Sequence, residues 1–208
     1  LDARIPLSSK NPEIDKLAQN KPRVVVLNKS DLSDKAKLNK WISYYQSKGI
    51  KAIPVDTLKG NGVNKIVEEC KNATKEKMDA LKEKGRKERA IRVMIVGVPN
   101  VGKSSLINKL TGRKSTQTGD RPGVTKGKQW VRLKGNLELL DTPGILWPKF
   151  EDQKIALNLA FTRAIKDEIL DIDTLGLKFI EKMSEIEPEK LKARYKLDSL
   201  GEEPLETM

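Results

Sequence analysis

The chain has 208 residues, enough to bury a sizeable core in one domain with an appendage. Its 41 basic and 29 acidic side chains leave a net charge of +12, which points to a polyanionic partner, nucleic acid being the usual one. A single cysteine and no histidine exclude an intramolecular disulfide and a structural zinc site. No apolar run approaches the ~20 residues of a membrane span and no signal peptide is visible, so a soluble, cytoplasmic protein that leaves membranes alone is expected.

In chain order, residues 1–4 read as the tail of a strand, and Pro12 is placed to begin a short helix through Leu17 and Ala18. Residues 23–27, with Val24, Val25 and Val26 in succession, predict a strand buried on both faces. A loop over 28–31 leads to a helix over about 34–47 that buries Leu38, Ile42 and Tyr45 and stops at Gly49. Residues 51–55 predict a short strand, 56–62 a loop, and 63 to at least 82 a helix. Its expected buried stripe is Val63, Ile66, Val67, Cys70, Ala73, Met78 and Leu81. A basic joint over 85–89 precedes an apolar run at 91–96. A helix ending near Gly112, a long polar loop over 115–127 and a hairpin of residues 128–133 and 137–140 follow. Beyond Phe150 the pattern is helical, with Ile155, Leu159, Ala160 and Ile165 on one face, then residues 175–183, then a charged tail. Strands alternating with helices predict an α/β doubly wound, mostly parallel sheet over 1–150 and a C-terminal α-helical segment over 151–208.

Three stretches carry chemistry, and each follows a predicted strand, at the edge where doubly wound sheets place ligands. Gly97-Val-Pro-Asn100-Val101-Gly102-Lys103-Ser104-Ser105 lies between a strand and a helix, the context of a phosphate-binding loop. Its backbone N–H groups and the helix N-terminus suit an anion. Lys103 adds a point charge for the β- and γ-phosphates, and the Ser104 hydroxyl suits Mg²⁺. Asp141-Thr-Pro-Gly144 offers a carboxylate to Mg²⁺ through a water and the Gly144 N–H to a γ-phosphate, although the tetrapeptide is also ordinary turn chemistry. Asn28-Lys29-Ser30-Asp31 offers a carboxylate to guanine's N1–H and exocyclic amine; alone, it also reads as an N-cap.

Together the three motifs resemble the Ras-like GTPases of the translation-factor class, but with the base motif ahead of the phosphate loop, the order of the circularly permuted members. The runs Thr118-Gly-Asp-Arg-Pro-Gly-Val-Thr125 and Asp141-Thr-Pro-Gly-Ile-Leu-Trp-Pro-Lys-Phe150 are similar to the YlqF/RbgA family of ribosome biogenesis GTPases. The resemblance spans nearly the whole chain. It implies a circularly permuted P-loop GTPase that binds GTP or GDP with Mg²⁺ and assists assembly of the large (50S) ribosomal subunit through rRNA. It also implies that Thr125 is the switch threonine on Mg²⁺ and the γ-phosphate, with Thr118 a lesser candidate. Asp56 and Thr57 take the place of the second base-contact loop, and Asn100 matches the asparagine of potassium-dependent members, where K⁺ adds positive charge; a loop-stabilising role for Asn100 is the alternative.

Lys103, Thr125 and Gly144 are thus the expected catalytic group. Ile145 stands where Ras-like enzymes carry a water-orienting glutamine, so intrinsic hydrolysis should be slow, with a group supplied by the ribosomal subunit, a cation or another segment completing the site. Lys71, Lys75, Lys82, Lys84, Arg86, Lys87 and Arg89 are candidate rRNA contacts or a solvated face. The protein is expected to act as a monomer. In this permuted order the Asp141 loop leads directly into the C-terminal helices, which would let phosphate sensing reposition them. In the ordinary sheet order the strand ending at Leu1-Asp2 lies between the phosphate-loop strand and the 23–27 strand, so the native protein is expected to extend upstream, and beyond Met208 into the rest of the family's C-terminal domain. A GTP-gated binding switch on another RNA or protein complex, and a P-loop phosphotransferase, are the alternative functions; the second leaves the guanine motif unexplained.

Overall fold

The computed structural model describes residues 1–19, 21–86, 89–112, 129–133, 135–141, 152–165 and 171–201. The chain divides into two compact units, Leu1–Lys149 and Phe150–Met208. In the first, a short helix α1 (Glu13–Leu17) leads to strand β1 (Val24–Asn28). Asp34 then caps helix α2 (Lys35–Ser47) by accepting the Lys37 N–H at 2.8 Å. Gly49, at φ +69°, supplies the left-handed turn that ends this helix and opens β2 (Lys51–Val55). β1 and β2 pair in parallel from Val24 opposite Lys51 to Asn28 opposite Val55, with α2 as the crossover.

Alternation along these strands fills a core on each face. Val25, Leu27 and Ala52 pack with Ala3, Leu38 and Tyr45 on the α2 side. Val24, Val26, Ile53 and Val55 pack on the other side with Val63 and Ile66 of α3 (Val63–Glu83) and with Leu106. The three valines are half-buried and Leu27 and Asn28 fully buried, so burial deepens towards the strand's C-terminal end. On α3, Ala73 is exposed while Thr74, one position round the helix, is half-buried and donates to the Cys70 carbonyl at 2.8 Å. The buried stripe turns at the helical pitch, which leaves Ala73 at its margin.

The second half of the unit carries β3 (Ile91–Met94), α4 (Lys103–Thr111), β4 (Gln129–Leu133) and β5 (Leu137–Asp141). Among the described residues the strands form two sheets, β1-β2 and β3-β5-β4, with β3 parallel to β5 and β4 antiparallel. Positive φ at Gly135 and Asn136 makes the hairpin bend. β3 is two residues shorter than the apolar run suggests. After the Ile95 N–H bonds the Leu140 carbonyl at 3.2 Å, the chain turns away into the glycine loop.

In the second unit, α5 (Gln153–Phe161) is capped by Asp152 and α6 (Ile172–Ile186) by Asp171. Leu159 and Ala160 are buried, and the Phe161 and Phe179 rings meet edge-on at 5.4 Å. The stretch expected to be a charged tail holds a further helix, α7 (Pro188–Tyr195), begun by Pro188 in its first turn and anchored by the buried Leu191. One buried position in two turns is too weak a periodic signal to predict it. No helix among the described residues is long and apolar enough to cross a membrane.

Leu27 is completely buried where the two faces meet the base motif. Leu27→Ala should lower unfolding stability by about 2–5 kcal/mol, measured by urea titration, because it opens a cavity among Ala3, Leu38, Tyr45 and Ala52 in the α2-side core.

Candidate nucleotide site

Gly102 closes the glycine loop and caps α4 at φ +95°. A β-carbon there would stand 2.3 Å from Asn28 Nδ2, so glycine is required by conformation and by space. Asn100 also lies in the left-handed region, at φ +54°. Val98 and Val101 are buried and anchor the loop from below, while Ser104 and Ser105 sit half-buried in the first helical turn. That turn's N–H groups lack intrahelical partners and carry the positive end of the helix dipole.

Lys103 is buried, and its Nζ donates to the carbonyls of Gly97 at 3.1 Å and Val98 at 3.0 Å. Those bonds hold a desolvated ammonium within the loop, beside the N–H groups that receive an anion.

The base motif closes on this loop from β1. Asn28, the last residue of the strand, donates from Nδ2 to the Val101 carbonyl at 2.8 Å and accepts at Oδ1 from the Thr57 hydroxyl at 2.7 Å. Lys29, at φ +60°, donates from Nζ to the Asn100 carbonyl at 2.7 Å. Asp31 lies in the single 3₁₀ turn Ser30–Leu32 and is exposed. Asn28 and Lys29 therefore tie base loop to phosphate loop, and Asp31 is left presented to solvent.

Thr57 is buried behind Asn28 and acts through it. Asp56 is also buried. Its Oδ1 accepts the Lys59 N–H at 3.0 Å and its carbonyl the Gly60 N–H at 2.8 Å, while Oδ2 has no hydrogen-bond partner. The structure thus places Asp56 as the clasp of the 56–60 turn.

Sequence reasoning passed over Asp2 and Arg4. Asp2 is buried and receives a two-pronged bond from Arg4, Nε to Oδ1 at 2.9 Å and Nη2 to Oδ2 at 2.7 Å, with Lys29 Nζ 3.2 Å from Oδ2. Burial alone would raise the Asp2 carboxyl. The Arg4 hydrogen bonds and charge, with Lys29, outweigh it and hold the group below the ordinary carboxylate range. The sequence places Asp2 at the end of a strand expected between the phosphate-loop strand and the 23–27 strand, but gives neither side chain a role.

The main chain of Asp141 ends β5 opposite Gln129, with Met94 paired to Leu140 one step earlier, so the second motif begins level with the start of the phosphate loop. The Asp141 side chain and Thr118, Thr125, Gly144 and Ile145 lie outside the described residues. No cluster of three or more His, Cys, Asp or Glu side chains suited to a metal occurs among the described residues. The Ser104 hydroxyl, half-buried in the first turn of α4, is the type of oxygen donor that suits Mg²⁺, which takes few protein ligands and completes its shell with phosphates and water.

A glycine-capped phosphate loop with a buried lysine, tied to a guanine-type motif that precedes it in the chain, defines a P-loop GTPase of permuted motif order. A family model described as 50S ribosome-binding GTPase matches residues 92–199. Ribosome biogenesis GTPase A of Bacillus pumilus is 48% identical over 208 residues, covering 99% of this chain and 73% of that protein. The protein of the same name from Bacillus cereus is 50% identical over 206 residues, covering 99% and 70%. Among solved structures, the GNP-bound YlqF from T. maritima aligns with a TM-score of 0.63 at 25% identity, covering 99% of this chain and 80% of that one. A GDP-bound structure of TM YlqF aligns at 0.62 with 26% identity, covering 99% and 82%. The chain belongs to the ribosome biogenesis GTPase A family, and it is a GTP-binding, GTP-hydrolysing enzyme.

Gly102→Ala forces φ +95° on a residue with a β-carbon and drives that carbon against Asn28. It should cost about 1–3 kcal/mol of stability and abolish binding of a fluorescent GDP at micromolar protein, whereas Gly49→Ala, with nothing within 4 Å of its β-carbon, should leave GDP binding intact.

Proposed function

We propose that this protein is a GTP-hydrolysing assembly factor for the large (50S) ribosomal subunit, whose nucleotide state controls its hold on rRNA and the pre-ribosomal particle. The observation that carries the nucleotide part is the double tie of Asn28 to Val101 and Lys29 to Asn100, which sets a guanine-reading loop against a phosphate loop. The large-subunit part rests on the description of the matching family and on the names of the relatives.

In this scheme the N–H groups of residues 100–105 bind the phosphates, and Lys103 turns from the Gly97 and Val98 carbonyls to the β- and γ-oxygens. Asp31 accepts both guanine donors, and Asn28 and Thr57 hold its loop in place. Adenine lacks that donor pair, so base selection lies with Asp31. Ser104 and Thr125 would hold Mg²⁺ directly and Asp141 through a water. The ion supplies neutralisation of charge developing between the β- and γ-phosphates. Asn100 is the candidate ligand for K⁺, and the Gly144 N–H the γ-phosphate sensor.

Residues 1–150 serve as the GTPase domain, and 151–208 as the start of a ribosome-binding domain. Lys71, Lys75, Lys82, Lys84, Arg86 and Arg89 are exposed on α3 and the segment after it, and are offered as rRNA contacts. Lys87 lies outside the described residues. The protein works as a cytoplasmic monomer. Because Ile145 has no atom to orient water, turnover is slow until the subunit completes the site.

GTP turnover measured with large subunits, with small subunits and alone, in K⁺ and in Na⁺, tests this function. Large subunits should raise turnover by about tenfold or more, a barrier change of roughly 1.4 kcal/mol, and more in K⁺ than in Na⁺. Equal turnover in all samples, or stimulation by a different RNA or protein complex only, would point to a GTP-gated switch elsewhere.

A further inference from the structure

Asp2 lies outside the three motifs, yet the structure builds it into the same site. The Leu1 carbonyl accepts the Asn28 N–H at 2.9 Å and the Ala3 N–H donates to the Asn28 carbonyl at 2.8 Å, so Asp2 is locked in register beside the base motif. Its N–H donates to Ser9 Oγ at 3.0 Å, and the fully buried Ser9 hydroxyl donates in turn to the Ile5 carbonyl at 2.9 Å. The carboxylate therefore has a fixed place.

Its oxygens are fully engaged. Oδ1 accepts from the Arg4 backbone N–H at 3.1 Å and from Arg4 Nε at 2.9 Å. Oδ2 accepts from Arg4 Nη2 at 2.7 Å and faces Lys29 Nζ at 3.2 Å. If Asp2 served only to neutralise Arg4, the buried pair would be complete without Lys29. Instead the second cation joins it and sends a further bond to the Asn100 carbonyl of the phosphate loop. Lys29 also holds a left-handed backbone at φ +60°, a conformation that surrounding contacts must maintain.

We propose that Asp2, braced by Arg4, is a positioning residue for guanine-nucleotide binding: it fixes the Lys29 ammonium between its own carboxylate and the Asn100 carbonyl, and so sets the spacing of the base loop from the phosphate loop. This rests on the nucleotide site proposed above and adds a residue to it. Loss of the carboxylate frees Lys29 to swing away from the phosphate loop. The consequence falls on nucleotide affinity, since Asp2 touches no reacting atom.

The test is GDP affinity, by fluorescent GDP titration, of the full-length protein and its Asp2→Asn, Lys29→Met and doubly substituted variants. Asp2→Asn should raise Kd about tenfold, the scale of one charge-assisted bond, and raise KM for GTP with kcat moving less than about twofold. In the Lys29→Met background the same substitution should add nothing, and Asp2→Glu should recover part of the affinity. Should Asp2→Asn fail to fold, Arg4→Gln is the second variant, with a rise of about threefold that also vanishes when Lys29 is Met. An unchanged Kd, or losses that simply add to those of Lys29→Met, overturns the proposal. Failure of the underlying nucleotide site reads differently: the unsubstituted protein would not bind GDP, or Asp31→Asn would leave the preference for guanine over xanthine nucleotides unmoved.

Discussion

The Asn28 carboxamide is the interaction on which the rest of the site depends. One amide reaches three loops: its own at the end of β1, the phosphate loop at Val101 and the 56–60 turn at Thr57. A buried carboxamide is tolerated only if its polar atoms are paired, and here both of those pairs run between loops far apart in sequence. Gly102 follows from the same contact, because any larger residue would displace the amide. The phosphate loop thus has the shape that Asn28 permits.

This explains why a permuted motif order is physically acceptable. The site is assembled from loops at the C-terminal edges of β1, β2 and β3, and those edges are fixed by strand packing and crossover helices, not by chain order. β1 contributes alternately to cores on its two faces, and its most deeply buried residues, Leu27 and Asn28, lie at the functional end. Core packing and the clamp share adjacent residues, so the strand that anchors the core also aims the amide.

Much of this was legible in the sequence for a simple reason: local chemistry marked it. Three valines, Gly49, and the glycine-lysine-serine run each act within a few residues. What escaped notice depends on distance. Asp2 is recognisable as part of the nucleotide site only once β1 places it beside Lys29, 27 positions later. The resemblance names Asp56 as a residue of the second base-contact loop; that its Oδ1 accepts the Lys59 N–H is visible only in the fold. Helix α7 is held by Leu191 alone among buried residues on that helix, which periodicity cannot register. A charge, a turn or a cap can be read one at a time; a contact between separated loops needs the fold.

The central claim is that Asn28 acts on the phosphate loop, not only beside the base. Affinity of Asn28→Ala for Mg²⁺-tripolyphosphate, a ligand with no base, measured by competition against fluorescent GDP, tests it most directly. The account predicts a loss of about tenfold for tripolyphosphate and a comparable loss for GDP, with Asp31→Ala weakening GDP alone. Full affinity of Asn28→Ala for tripolyphosphate, with GDP binding lost, would contradict it.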